Sequence, residues 1–295
     1  MTEVEFRSLV ERGPVLLDGA TGTSLFSSGM PMGVCTEGWV LDHPNVVKNL
    51  QKAYVEAGSQ IIYAPTFGAN RHNLAWYGLD SNLSELIARL VAISKEAASG
   101  KAYVAGDMSM TGLTLEDLGG EASFDQIFDL YHEQAQALDD AGVDLFVVET
   151  MLSLEETEAA LDAIRSVSDK PVMCTLSYDA DGTTMYGTRC GEAVETLQAL
   201  GASAVGLNCS VGPDQLEAVV AAMKSAAEIP IIAKPNAGLP LIDDAGNAVY
   251  PMGPMEFAEN MKKLVAAGAS VIGGCCGTTP EYIRKLRLML EGKLI

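Results

Sequence analysis

The sequence predicts a (β/α)8 barrel, in which eight parallel strands alternate with helices. Eight short apolar runs rich in β-branched residues recur along the 295 residues, and a longer segment with helical spacing follows each of them. Near-continuous apolar runs of this length are typical of parallel strands buried on both faces. The predicted strands are Val15–Ala20, Gln60–Phe67, Ala102–Ser109, Leu145–Met151, Val172–Tyr178, Ala204–Ser210, Ile231–Gly238 and Val271–Gly277.

The segments between the apolar runs predict helices with one apolar face. In the segment Val46–Ala57, the apolar residues Val47, Leu50 and Tyr54 recur at helical intervals. The segment Asp125–Ala141 shows the same spacing. Each of these helices would cover one side of the strands that flank it in the chain, as a barrel requires.

Glycine and proline mark the boundaries of the predicted helices. Glycine commonly follows the C-terminus of a helix, and proline is favoured at its first position. The glycines that precede strands are Gly58, Gly142, Gly201 and Gly268, and the prolines at predicted helix starts are Pro213, Pro254 and Pro280. An open doubly wound sheet is the alternative fold, but no Gly-x-Gly-x-x-Gly follows the first run. Without a linker or low-complexity segment, we expect one domain over residues 1–295.

The composition argues against two classes of binding partner, nucleic acids and membranes. The chain carries 39 acidic and 19 basic residues, a formal charge of −20, which would repel a phosphate backbone or an acidic membrane surface. The N-terminal residues lack the apolar core of a signal peptide, and no run is long enough for a membrane span. We therefore expect no nucleic-acid or membrane partner, a cytoplasmic location, and reduced cysteines.

Three of the six cysteines fall at the ends of two predicted strands, where barrel active sites lie. Cys209 ends the sixth strand, and Cys275 and Cys276 end the eighth. Three thiolates suit Zn²⁺, and three protein ligands leave a fourth position for a thiol substrate. The spacing alone leaves two alternatives open, because a vicinal pair can also form a redox disulfide or simply be two packed thiols.

Acidic residues close three of the other predicted strands. Asp18, Asp107 and Glu149 stand at the ends of strands one, three and four. They fit binding of a substrate ammonium group, and they equally fit caps of neighbouring backbone amides. The three histidines stand away from the predicted strand ends, so a histidine-ligated metal is not favoured.

Five motifs together resemble the homocysteine S-methyltransferase family over nearly the whole chain. The motifs are Leu17–Thr23, Thr66–Ala69, Gly206–Ser210, Pro235–Gly238 and the Gly-Gly-Cys-Cys-Gly-Thr-Thr-Pro stretch of Gly273–Pro280. The resemblance implies a (β/α)8 barrel and an enzyme that transfers a methyl group to the thiolate of homocysteine, forming methionine. It implies that Cys209, Cys275 and Cys276 are the zinc ligands and catalytic residues.

The same resemblance implies the substrate pocket. Asp18 and Glu149 would hold the ammonium group of homocysteine. The backbone amides around Ala20 and Thr21 would receive its carboxylate. Thr66 and Asn236, at the ends of the second and seventh predicted strands, are further predicted substrate-binding residues.

The motifs look closest to the homocysteine-binding domain of cobalamin-dependent methionine synthase. The sequence has no Asp-x-His-x-x-Gly corrinoid motif, so we expect methylcobalamin only in trans, as the methyl donor on a separate corrinoid protein. The segments Asp107–Gly112 and Cys35–Asn45 depart from the methionine synthase pattern and are expected to face the donor. The alternatives are therefore S-methylmethionine, betaine or another small methyl donor, and a non-catalytic zinc-barrel scaffold of a corrinoid methyltransferase complex.

Overall fold

The computed structural model describes residues 1–243 and 248–294 and confirms the (β/α)8 architecture. The strands are β1 Val15–Leu16, β2 Ile61–Tyr63, β3 Tyr103–Met108, β4 Leu145–Met151, β5 Val172–Leu176, β6 Ala204–Cys209, β7 Ile231–Pro235, β8 Leu241–Ile242, β9 Ala248–Val249 and β10 Ala269–Ile272. The helices are α1 Glu3–Glu11, α2 Gly22–Ser27, α3 Thr36–Asp42, α4 Pro44–Ala57, α5 Arg71–Ala75, α6 Leu83–Ala98, α7 Phe124–Asp140, α8 Leu154–Val167, α9 Cys190–Ala199, α10 Glu217–Ala226, α11 Pro254–Ala267 and α12 Pro280–Leu290.

Eight of the strands form one parallel sheet in the order β1-β10-β7-β6-β5-β4-β3-β2. Hydrogen bonds between the segments at the two ends of this order close the sheet into a barrel. The Gln60 N–H donates to the Leu16 carbonyl at 2.7 Å, and the Leu16 N–H donates to Gln60 Oε1 at 3.1 Å. The Ser59 hydroxyl donates to the Leu17 carbonyl at 3.0 Å. The C-terminal ends of all eight strands therefore meet at one face.

Each predicted strand corresponds to an observed strand, and β4 has the predicted bounds, but the other seven strands are shorter than their apolar runs. β1 pairs only at Val15 and Leu16, and the residues that follow leave the ladder to form the loops of the C-terminal face. The last strand begins at Ala269, two residues before its predicted start. The hairpin of β8 and β9, inserted after β7, was not predicted because its strands are two residues long and exposed.

Two of the three predicted proline helix starts are confirmed, while α4 begins two residues before its predicted start at Val46 and α7 is shifted by one residue from its predicted bounds. α11 and α12 begin at Pro254 and Pro280, whereas Pro213 begins a short 3-10 turn that precedes α10. Gly58 and Gly268 end α4 and α11 with φ of 123° and 121°, a backbone conformation that other residues rarely adopt. Among the helices of the described ranges, none is long and apolar enough to cross a membrane.

Two apolar layers hold the barrel together. Inward-facing side chains of the strands fill its interior, and Phe6 of α1 packs with them, fully buried, beside Val15 and Ile61. The second layer lies between the strands and the surrounding helices. Because α1 and the interior side chains fill the rest of the barrel, the cavity on the barrel axis lies at the face with the C-terminal strand ends. That residues 1–295 form one homocysteine-binding domain stays a prediction.

Candidate functional site

A cavity of about 680 Å³ opens among the C-terminal ends of the strands. Its wall has two chemically distinct parts, a group of three cysteines and a group of charged side chains. The cysteines are Cys209, Cys275 and Cys276, and the charged residues are Asp18, Glu37, Asp107, Glu149 and Lys234. A larger open groove of about 1300 Å³ runs beside α5 and α7, shares no lining residue with this cavity and includes no cysteine among its described residues.

The three predicted cysteines converge as the sequence indicated. Cys209 is the last residue of β6, and Cys275 and Cys276 follow β10 directly. Their sulfur atoms all lie within 4.8 Å of one another, with Cys209 Sγ 3.0 Å from Cys275 Sγ and 3.8 Å from Cys276 Sγ. Hydrogen bonds from Cys209 and Cys275 lower the pKa of Cys276, which favours the thiolate form of this sulfur.

The Cys209 backbone adopts an unusual conformation. Cys209 and the next residue, Ser210, have φ of 59° and 60°, in the left-handed region that costs a residue with a Cβ on the order of 1–2 kcal/mol. The Asn236 side chain compensates by donating from Nδ2 to the Ser210 carbonyl at 3.0 Å. This turn directs the Cys209 sulfur toward the sulfurs of the loop after β10.

The loop that carries the vicinal pair is tied to its neighbours through the backbone. The Cys275 N–H donates to the Pro235 carbonyl at 2.7 Å, and the Thr278 hydroxyl donates to the Cys275 carbonyl at 2.7 Å. Gly274 must lack a side chain, because a Cβ there would lie 2.5 Å from Thr278 Oγ1. The shape of this turn thus depends on glycine at the position just before the two cysteines.

Asn208 connects the cysteines to the acidic wall. Its Oδ1 accepts the Thr150 N–H at 2.9 Å, and its Nδ2 donates to Thr150 Oγ1 at 2.7 Å and to Glu149 Oε2 at 3.3 Å. Thr150 has φ of 62°, which is rare for a β-branched residue. These bonds hold the strained end of β4 and orient Glu149 toward the cavity.

Asp18 and Lys234 form a buried ion pair on the floor of the cavity. Asp18 Oδ2 accepts the Tyr63 N–H at 2.8 Å, and Asp18 Oδ1 lies 3.5 Å from Lys234 Nζ. The Lys234 ammonium also lies 4.8 Å from the centre of the Tyr63 ring. Burial raises the pKa of Asp18, and the Lys234 charge and the Tyr63 amide partly oppose that rise.

The other three carboxyl groups of the wall line the same cavity. Burial raises the pKa of Glu149 to about 7. Burial, together with the neighbouring Glu149 charge, raises the pKa of Asp107 well above its usual value. Glu37 is buried as well, and its Oε1 accepts the Gly68 N–H at 2.8 Å. A cavity with this many carboxyl groups favours a cationic ligand group.

Three of the predicted substrate residues make hydrogen bonds within the fold, and their role in substrate binding stays a prediction. The Ala20 N–H already donates to Thr278 Oγ1 at 3.1 Å, which leaves Thr21 of the predicted pair of amides. Thr66 is fully buried, and its hydroxyl bonds the backbone of Asp107 at 2.8 Å. Neither Thr66 nor Asn236 lines the cavity, because both side chains are used to fix the loops behind its wall.

Two charged residues of the cavity wall, Lys234 and Glu37, were not among the site residues predicted from the sequence. Lys234 is a charged residue inside the apolar run Ile231–Gly238, and that contrast is a signal that a buried charge is present. Glu37 comes from α3, outside every predicted strand, so no strand-end argument finds it. Cys35, Thr36 and Glu37 of the Cys35–Asn45 segment line the cavity, and that this segment faces the methyl donor stays a prediction.

The sequence model for "Homocysteine S-methyltransferase" matches residues 15–290. The chain belongs to the homocysteine S-methyltransferase family. The predicted enzyme class is thereby confirmed at the level of the family, and the match includes every residue of the cavity wall.

Curated relatives of this family member include two mycobacterial proteins. The chain is 34% identical over 287 residues to a methionine synthase of Mycobacterium tuberculosis (strain ATCC 25618 / H37Rv) and 33% identical over 287 residues to one of Mycobacterium leprae (strain TN). Each alignment covers 91% of this chain and 24% of the relative. The chain thus spans about a quarter of the length of these curated relatives.

Solved structures agree with the fold. The metallated form of the homocysteine methyltransferase MmuM from Escherichia coli superimposes with a TM-score of 0.80 at 24% identity, covering 98% of this chain and 99% of the other. At this identity the likeness establishes the shared barrel, and the chemistry of the site rests on the residues themselves.

Proposed function

We propose that this family member transfers a methyl group to the thiolate of homocysteine and forms methionine, with Cys209, Cys275 and Cys276 as zinc ligands. The observation that carries the proposal is the placement of three cysteine sulfurs within 4.8 Å of one another in the wall of a cavity whose other wall is acidic. One part of the cavity suits a thiol, and the other suits the ammonium group of an amino acid. Homocysteine carries both groups.

The donor set fits zinc. A tetrahedral ion with Zn–S bonds of about 2.3 Å holds its sulfurs about 3.8 Å apart. Cys209 Sγ and Cys276 Sγ already have that separation of 3.8 Å, whereas Cys209 Sγ and Cys275 Sγ, 3.0 Å apart, would have to separate by less than 1 Å. Bound there, zinc would supply the acidity that deprotonates a thiol ligand at neutral pH. The solved Escherichia coli relative exists in a metallated form, which supports a metal at this site.

The acidic wall orients the substrate. Asp18 and Glu149 are placed to accept hydrogen bonds from the ammonium group, and their carboxyl groups are held by Tyr63 and by Asn208. Anchoring the amino acid at this end limits the directions in which its sulfur can reach the three cysteines. The sulfur then forms a bond to the methyl carbon, and the donor leaves with the electron pair of the bond that breaks.

We propose that the donor is a methylcorrinoid presented by another domain or protein. The similarity to methionine synthases supports this donor class. Large apolar side chains that line the cavity are also exposed at its rim, with Trp76 79%, Tyr77 49% and Phe67 40% exposed. An exposed apolar rim of this kind is typical of a docking surface.

The test is a methyl-transfer assay on zinc-loaded protein with homocysteine and a panel of donors. The panel contains free methylcobalamin, a methylated corrinoid protein, S-methylmethionine and betaine, and methionine formation is measured. We expect turnover with the corrinoid donors, its loss in Cys209→Ala, and its retention in Cys190→Ala, a buried cysteine outside the cavity. If no donor yields methionine while a corrinoid protein still binds, the barrel is a scaffold.

A further inference from the structure

The segment after β9 places Tyr250 against the turn that carries the vicinal cysteines. Tyr250 directly follows Val249, the last residue of β9. Its ring lies over Gly277, where an added Cβ would be 2.3 Å from Tyr250 Cγ, so glycine leaves room for the ring. The Tyr250 hydroxyl forms a hydrogen bond with the sulfur of Cys276. Tyr250 therefore contacts both the turn and one of the proposed zinc ligands.

Backbone hydrogen bonds fix the position of Tyr250 relative to Cys276. The Ala237 N–H, after β7, donates to the Cys276 carbonyl at 2.9 Å, and the Met252 N–H donates to the Ala237 carbonyl at 3.0 Å. The Tyr282 hydroxyl of α12 donates to the Met252 carbonyl at 2.7 Å. Tyr250 thus lies two residues before a backbone position that this series of bonds links to the cysteine turn.

The Tyr250 hydroxyl is the donor of its hydrogen bond with Cys276. A tyrosine hydroxyl has an ordinary pKa of about 10, and burial together with the Cys276 charge raises the pKa of Tyr250 further. The hydroxyl therefore keeps its proton at neutral pH, and a thiolate sulfur can only accept. Zinc bound to Cys209, Cys275 and Cys276 would replace the hydrogen bonds among these sulfurs. The bond from Tyr250 would remain, because Tyr250 is not one of the proposed ligands.

Cys276 and the substrate sulfur present similar groups to the methyl donor. Bound homocysteine would place a fourth thiolate beside the three cysteines, and Cys276 lines the same cavity. A hydrogen bond to a thiolate draws charge from the sulfur and lowers its reactivity toward carbon. Tyr250 is not among the described residues that line the cavity, so it can act on Cys276 without contacting the substrate.

We infer that the hydrogen bond from Tyr250 makes Cys276 a poor nucleophile and thereby reserves the methyl group for the homocysteine thiolate. Tyr250 acts through Cys276, so it is a positioning residue. This inference rests on the proposed function and deepens it, because it names a residue that distinguishes a ligand thiolate from the substrate thiolate.

The experiment measures alkylation of each cysteine in zinc-loaded protein without homocysteine. Wild type, Tyr250→Phe and Tyr103→Phe are treated with iodoacetamide at neutral pH, and the rate at each cysteine is followed by peptide mass spectrometry. In this reaction the sulfur bonds to carbon and iodide leaves. The control residue Tyr103 is exposed at the start of β3, at the opposite end of the strand from the cavity. The same proteins loaded with cobalt report the sulfur-to-metal charge-transfer band.

We expect Cys276 to be alkylated about tenfold faster in Tyr250→Phe than in wild type, the effect of losing one hydrogen bond to a charged group. The rates at Cys209 and Cys275 should change by less than about twofold, since neither loses a partner. The charge-transfer band should move to longer wavelength, because the sulfur lone pairs rise in energy when the hydrogen bond is removed. Tyr103→Phe should match wild type in both measurements.

An unchanged rate at Cys276, or a band that does not move, would overturn the inference and leave the proposed function standing. Equal acceleration at all three cysteines, or loss of the metal from Tyr250→Phe, would also overturn it, because Tyr250 would then only support the turn. If wild type binds neither zinc nor cobalt at the three cysteines, the proposed function and this inference fail together.

Discussion

Replacing Asn208 by alanine should destabilise the protein strongly, because one side chain holds the strained end of β4. The substitution removes the bonds to the Thr150 N–H, Thr150 Oγ1 and Glu149 Oε2. Each contributes about 1 kcal/mol net, and the partly buried Thr150 N–H, left without a partner, costs up to a further ~2 kcal/mol. Thr150 would also keep its left-handed backbone without support. The free energy of unfolding should therefore fall by about 3–5 kcal/mol.

The assay is urea-induced unfolding followed by circular dichroism, with the slope of the transition compared between variants. Asn82→Ala is the control, since Asn82 is exposed and its side chain makes no capping bond to α6. That control should change the free energy of unfolding by no more than about 0.5 kcal/mol. A loss below about 1.5 kcal/mol in Asn208→Ala, at an unchanged slope, would refute the role given to these hydrogen bonds.

Three further predictions concern the cavity and its rim. Burial raises the pKa of Glu149 to about 7, and binding of an ammonium group needs the ionised carboxylate. The affinity for L-methionine, measured by calorimetry, should therefore rise with pH through about 7, and Glu149→Gln should flatten that profile. A flat profile in wild type would argue against Glu149 as an ammonium partner. Gly274→Ala places a Cβ 2.5 Å from Thr278 Oγ1, so it should lower the free energy of unfolding by about 1–3 kcal/mol and reduce zinc affinity. In Gly253→Ala the added Cβ meets nothing within 4 Å, so this control variant should be neutral. Equal effects in the two variants would contradict the role given to Gly274. Trp76→Ala should leave stability unchanged and raise the KM for a protein-bound methylcorrinoid by about tenfold, and an unchanged KM would exclude this rim from donor docking.

The barrel and the cysteine cluster were predictable from sequence because both follow from periodic signals. Alternating apolar runs and helices determine the order of the strands, and a parallel barrel places all their C-terminal ends on one face. Cys209, Cys275 and Cys276 were therefore expected at one face, and the turns after β6 and β10 bring their sulfur atoms together. The observed separations of 3.0 and 3.8 Å from Cys209 confirm that convergence.

The acidic wall was only partly predictable, because strand-end position does not say where a side chain points. Thr66 and Asn236 stand at strand ends like Asp18, yet they bond the backbone behind the cavity. Glu37 lies on helix α3 and not at the end of a strand. The turns after the strands decide which polar groups face the cavity. The conformation of those turns depends on local hydrogen bonds, such as the one from the Ala20 N–H to Thr278 Oγ1.

The most direct test of the proposed chemistry is X-ray absorption at the zinc edge on protein purified in reductant. One zinc per chain with three sulfur ligands should become four-sulfur coordination when L-homocysteine is added, and Cys209→Ala should lose the metal. Protein that carries no stoichiometric zinc, or a sulfur count that does not rise with homocysteine, would contradict a thiol-binding metal centre at the three cysteines.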